Sequence, residues 1–64
     1  MDVEKNVPIL FEVRTVAKIL ALSRSKVYEL LNSGALASVV VGRSRRVTQN
    51  QLVEFISALE SQSI

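Results

Sequence analysis

The chain contains no cysteine and no histidine, and over only 64 residues that absence constrains the fold more than any motif does. Neither a disulfide framework nor a Cys-rich zinc site can staple it. The commonest metal ligand and the commonest neutral-pH general base are missing as well. A chain this short buries only about 60% of the surface its unfolded form exposes, so an economical apolar core has to hold it together. Hydrophobic residues make up 48% of the sequence but aromatics only 5%, so that core is aliphatic, built from Val, Leu, Ile and Ala. The length fits one domain. Its acidic N-terminus has no long apolar run and does not read as a signal peptide, and no stretch approaches the length of a membrane span, so the chain is read as cytoplasmic.

Apolar spacing divides the chain into short elements. Residues 1–8 are polar, and Pro8 bars a helix from running through them, so they read as a flexible leader ahead of a domain at 9–60. Ile9, Leu10 and Phe11 form a short apolar run with two readings, a strand or a packing anchor. Val13, Val16, Ala17 and Leu20 then recur at i, i+3, i+4 and i+7, one face of a helix of two to three turns, with Ile19 beside them. Ser23 is a good N-cap for a second helix over 24–32, with Val27, Leu30 and Leu31 as its stripe and Ser33-Gly34 as its stop. Leu36 follows, where an apolar residue folds back over a helix end. Val39, Val40 and Val41 favour a strand. Gly42, Arg43 and Ser44 read as a turn, and Arg45, Arg46 and Val47 as the returning strand of a hairpin. Thr48 with Gln51 is a capping box that opens a third helix. Its stripe of Leu52, Phe55, Ile56 and Leu59 closes the core, and residues 61–64 are expected to fray. The fold class is therefore mostly α with a small β-hairpin: helix, turn, helix, hairpin wing, C-terminal helix.

The net charge of +2 conceals where the charges lie. Between residues 14 and 46 seven basic side chains stand against one acid, Glu29, while the flanks carry one lysine against five acids. A basic middle between acidic ends suggests a polyanion-binding face, the alternative being an ordinary solvated surface. On the second helix Ser23, Arg24, Ser25, Lys26, Tyr28, Glu29 and Asn32 lie away from the apolar stripe, a donor-rich face suited to base edges and phosphates. Glu29 has two readings, acceptor from a cytosine amino group or internal partner of Lys26 or Arg24. Tyr28 also has two, packing residue or phosphate contact. Arg43, Ser44, Arg45 and Arg46 form a charged hairpin tip with no acid nearby. Their mutual repulsion would be relieved by a phosphate backbone or a narrow minor groove, which favours a DNA wing over an edge charged against aggregation. Arg14, Thr15 and Lys18 on the first helix are candidate backbone contacts.

No enzyme emerges. The carboxylates Glu12, Glu29, Glu54 and Glu60 are scattered, the serines have no histidine to activate them, and Gly34 and Gly42 are explained by a helix end and a turn. No cofactor, metal or small-molecule ligand is expected.

Four blocks carry a family resemblance: Val16 to Tyr28 around Ser23-Arg24-Ser25, then Ser33-Gly34-Ala35-Leu36, then Val41-Gly42-Arg43-Ser44-Arg45-Arg46-Val47, followed by Leu52 to Phe55. Together they resemble the excisionase-type DNA-binding domain, a small relative of the MerR-like winged helix-turn-helix. The resemblance covers about two-thirds of the chain. It implies a helix at 24–32 in the major groove and a wing at 42–46 on the adjacent minor groove or backbone. It also implies a recombination directionality factor that is a monomer in solution, assembles cooperatively head to tail on repeated DNA sites, bends the DNA and assists a cognate integrase. Two departures stand out: Glu12 and Thr15 invert the usual capping pair of the first helix, and Lys26 stands where Thr is frequent. A small transcriptional regulator of the same fold is the runner-up. A protein–protein adaptor docking through the helix at 49–60 or the valine strand is the alternative from another class.

Overall fold

The computed structural model describes residues 9–62. The expected leader at 1–8 and the last two residues lie outside them. Along the chain run β1 (Leu10–Phe11), α1 (Val13–Leu20), α2 (Arg24–Ser33), β2 (Val39–Val41), β3 (Ser44–Thr48) and α3 (Gln49–Gln62). This is a mostly helical winged helix-turn-helix, as the order of sequence signals predicts, with one addition. The apolar run at 9–11 contributes a strand, so the wing is part of a three-stranded antiparallel sheet in the order β1-β3-β2. Leu10 lies opposite Thr48 and Phe11 opposite Val47. The Gln49 N–H extends the pairing by donating to the Ile9 carbonyl at 2.9 Å.

The helix ends follow from local chemistry. Ser23 Oγ accepts from the Lys26 N–H at 3.1 Å and caps α2. Gly34 closes the same helix at φ 84°, its N–H donating to the Leu31 carbonyl. The Leu36 N–H reaches back to the Leu30 carbonyl at 3.1 Å, and its side chain is sealed into the core at 1% exposure. At the head of α3 the capping box is complete: the Thr48 N–H donates to Gln51 Oε1 at 2.9 Å and the Gln51 N–H to Thr48 Oγ1 at 3.0 Å. The end of α1 carries no such signature. Ala21 stands there at φ 59°, the one non-glycine residue with positive φ among the described residues. Its N–H donates to the Lys18 carbonyl (3.2 Å) and the Leu22 N–H to the Ala17 carbonyl (2.9 Å), the paired bonds of a Schellman motif. That motif makes the turn between α1 and α2.

The hairpin is tighter than expected. Val41 pairs with Ser44, so the turn is Gly42-Arg43 alone, and Ser44 belongs to β3 rather than to the turn. Gly42 adopts φ 63°; positive φ at only the first central position is the type II′ pattern, which suits the twist of the flanking strands.

One aliphatic core joins all three helices to the sheet: Val13, Val16 and Ala17 of α1, Val27 and Leu31 of α2, Leu36, Val47 of β3 and Leu52 of α3. Phe11, Leu20, Leu30, Phe55 and Ile56 close its edges. The stripe of α3 is shorter than its periodicity predicts. Leu59 is 46% exposed, and every residue from Ser57 to Gln62 is exposed, because the helix outruns the small core beneath its first turns.

Candidate nucleic-acid interface

Among the described residues the interior holds no buried polar or charged residue, so any chemistry lies on the surface. No group of three or more His, Cys, Asp or Glu residues among them is placed to hold a metal ion, and no helix among them is long and apolar enough to cross a membrane.

The arginines of the first helix, the second helix and the wing converge, and Lys26 lines neither this groove nor the next. Arg14, Arg24, Tyr28, Arg43, Arg45 and Arg46 line one open groove of about 340 Å³, together with Glu12, Val13 and Ser44. The N-terminal turns of α1 and α2 form one wall, and the hairpin forms the other. The convergence follows from the fold: the tight turn at Ala21 sets the start of α2 beside α1, and β3, held between β1 and β2, swings its arginines towards both. Arg14 and Arg24 also line a second groove of about 460 Å³ with Ala17, Lys18, Ala21 and Leu22. The basic surface thus runs from the wing across to the helix-helix turn.

Within this surface the charges are tied to particular partners. Arg45 Nη1 donates to Asn32 Oδ1 at 3.2 Å, which links the wing to the last turns of α2. Lys26 Nζ lies 3.5 Å from Glu29 Oε1, so the internal-partner reading of Glu29 describes the free chain. The expectation of wing arginines without an acid nearby is corrected at Arg46. Its Nη2 lies 3.9 Å from Glu12 Oε2, and its Nη1 donates to the Arg45 carbonyl at 3.1 Å. The physical reason is the pairing of β1 with β3, which carries Glu12 to the side of β3 although 34 positions separate it from Arg46 in sequence. Glu12 Oε1 also accepts from Arg14 Nε at 2.9 Å. All these pairs are solvent-exposed to a degree that limits each to about 0–1 kcal/mol; they orient the side chains more than they stabilise the fold.

The remaining expected site residues take different positions. Ser23 spends its acceptor on the helix cap, and Ser25 is exposed one residue into α2. Tyr28 is 48% exposed and lines the arginine groove instead of packing in the core. Ser44 sits on the groove wall and Lys18 on the second groove, whereas Thr15 is half-buried. Glu12 is the groove residue that sequence reasoning passed over. Its position just before a helix reads as a cap, and the strand pairing that sets it beside Arg46 is non-local.

The groove is built from elements between β1 and β3, and α3 closes the core behind them. A family model described as a helix-turn-helix domain matches residues 10–59, which begin at β1 and end within α3. A curated relative from Saccharopolyspora erythraea, named "Probable excisionase", is 37% identical over 54 residues, covering 84% of this chain and 55% of that protein. The chain therefore spans about half the length of the curated relative it matches. No solved structure matches it. With both helices, the wing and the closing helix inside the matched span, the chain belongs to the helix-turn-helix domain family.

Proposed function

We propose that the chain binds double-stranded DNA sequence-specifically and acts as an excisionase. The observation that carries this reading is the convergence of five arginines, from α1, α2 and the wing, on one groove with a single carboxylate. Clustered guanidinium groups repel one another, and a row of phosphates relieves that repulsion while releasing counterions. In this reading α2 enters the major groove. Arg24 and Lys26 donate to guanine N7 and O6, Ser25 serves a base or a phosphate, and Tyr28 meets the backbone. Arg43, Ser44, Arg45 and Arg46 follow the adjacent minor groove or backbone, and Arg14, Thr15 and Lys18 meet phosphates beside the turn. Asn32 acts through Arg45, and Glu29 through Lys26.

The excisionase role is supported by the name of the relative and by the resemblance of the residue blocks to the excisionase-type domain. It entails loading on repeated sites, DNA bending and assistance to a cognate integrase. The chain works in the cytoplasm, without catalysis of its own. A mobility-shift titration at two salt concentrations, with flanking DNA of the source element and a scrambled competitor, tests the reading. If about four phosphates are neutralised, log K falls against log salt with a slope near −3.6. Laddered complexes preferred on the flanking DNA support cooperative loading. No complex with either DNA at low salt sinks the proposal.

A further inference from the structure

Glu12 combines three observations that an ordinary helix cap does not explain. It occupies the N-cap position of α1 with extended backbone angles, yet its side chain makes no capping hydrogen bond. Both carboxylate oxygens are turned instead to arginines of the groove, Oε1 to Arg14 Nε at 2.9 Å and Oε2 to Arg46 Nη2 at 3.9 Å. It is also the one carboxylate among the groove's lining residues, facing five guanidinium groups. With 48% of the Glu12 side chain exposed, neither pair contributes much to stability, and both give way readily to another anion.

We infer that Glu12 is an internal competitor for the groove: its carboxylate stands where a nucleic-acid phosphate would lie between Arg14 and Arg46, and so restrains sequence-independent DNA binding. The inference rests on the DNA-binding reading above. An anion held between two arginines lowers the potential that draws phosphates to them, and a phosphate that enters must displace it or tolerate its charge. The restraint falls on the electrostatic part of binding, which every sequence shares. Glu12 makes no contact with the exposed face of α2 in these bonds, so base reading by Arg24, Ser25 and Lys26 is left to that helix.

The test compares the unmodified chain, Glu12→Gln and Glu12→Asp on a fluorescein-labelled duplex of random sequence, by anisotropy at several salt concentrations. Circular dichroism of each protein accompanies the titrations. Glu12→Gln removes the charge and keeps the shape; it is expected to fold normally and to bind about five-fold more tightly at low salt. Its salt slope steepens by up to about 0.9, one further phosphate contact. Glu12→Asp keeps the charge and is expected to stay close to the unmodified chain. Equal or weaker binding by Glu12→Gln, a gain shared by Glu12→Asp, or failure of Glu12→Gln to fold each overturn the competitor role and leave the DNA reading standing. Absence of binding by all three proteins overturns both.

Discussion

Replacing Ala21 with glycine tests how the turn between α1 and α2 is made. Ala21 sits at φ 59°, where its N–H and that of Leu22 close the Schellman bonds to Lys18 and Ala17. An L-residue with a Cβ is destabilised there by about 1–2 kcal/mol, because the Cβ crowds the following carbonyl. Glycine removes that strain, but its freer unfolded chain returns about 0.4–1 kcal/mol of the gain. The net expectation for Ala21→Gly is a stabilisation of about 0–1.6 kcal/mol, centred on about 0.8 kcal/mol. For a domain of this size, each kcal/mol moves the melting temperature by about 4–8 °C, so the centre of that range raises Tm by about 3–6 °C. Thermal unfolding followed by circular dichroism measures it. Urea melts supply the control, since an unchanged m-value shows a change in stability without a change in the surface exposed on unfolding. A lowered Tm would falsify the left-handed turn at Ala21 and, with it, the geometry that sets the start of α2 beside Arg14.

Three further substitutions probe the parts that hold the site in place. Leu36→Ala empties a position that is 1% exposed; the loss of about 2–5 kcal/mol compares with a total stability of about 3–10 kcal/mol for a domain of this length. Urea denaturation should find much of the cooperative transition gone, and a loss under 1 kcal/mol would contradict the assigned packing. Thr48→Ala breaks one arm of the capping box of α3 and should cost about 1 kcal/mol. Combined with Gln51→Ala it should cost less than the sum of the two single changes, because the reciprocal bonds form one unit; full additivity in a thermal-melt cycle would show that the box does not act as a pair.

How far the fold was legible depends on whether its cause is local. Both ends of α2 could be read because a serine cap and a glycine stop announce themselves within a few residues, and the Thr48–Gln51 box is equally local. Strand β1 left two readings open, since two residues have no period and its partner lies in β3, far along the chain. The same non-local pairing hides Glu12 as the counter-ion of Arg46, so the sequence shows a wing less neutralised than it is. The positive φ of Ala21 left no signature, because alanine is disfavoured in that conformation and sequence alone would place glycine there. Leu59 was misread for the opposite reason: its helical period is correct, but periodicity says nothing about where a small core ends. Of the site, the arginines of α2 and the hairpin were legible as a cluster. The bond between Asn32 and Arg45 was not, because it depends on how the hairpin leans on α2.

The most direct test of the arginine groove as the DNA-binding face is a ¹H–¹⁵N correlation spectrum of the chain, recorded while a duplex selected by the protein from a random pool is titrated in. The largest shifts should fall on Arg14, on Arg24 to Tyr28 and on Arg43 to Arg46, with the exposed end of α3 from Ser57 to Gln62 unmoved. Shifts confined to α3 or to the valines of β2, or no shift at low salt, would contradict that assignment and favour a protein–protein adaptor instead.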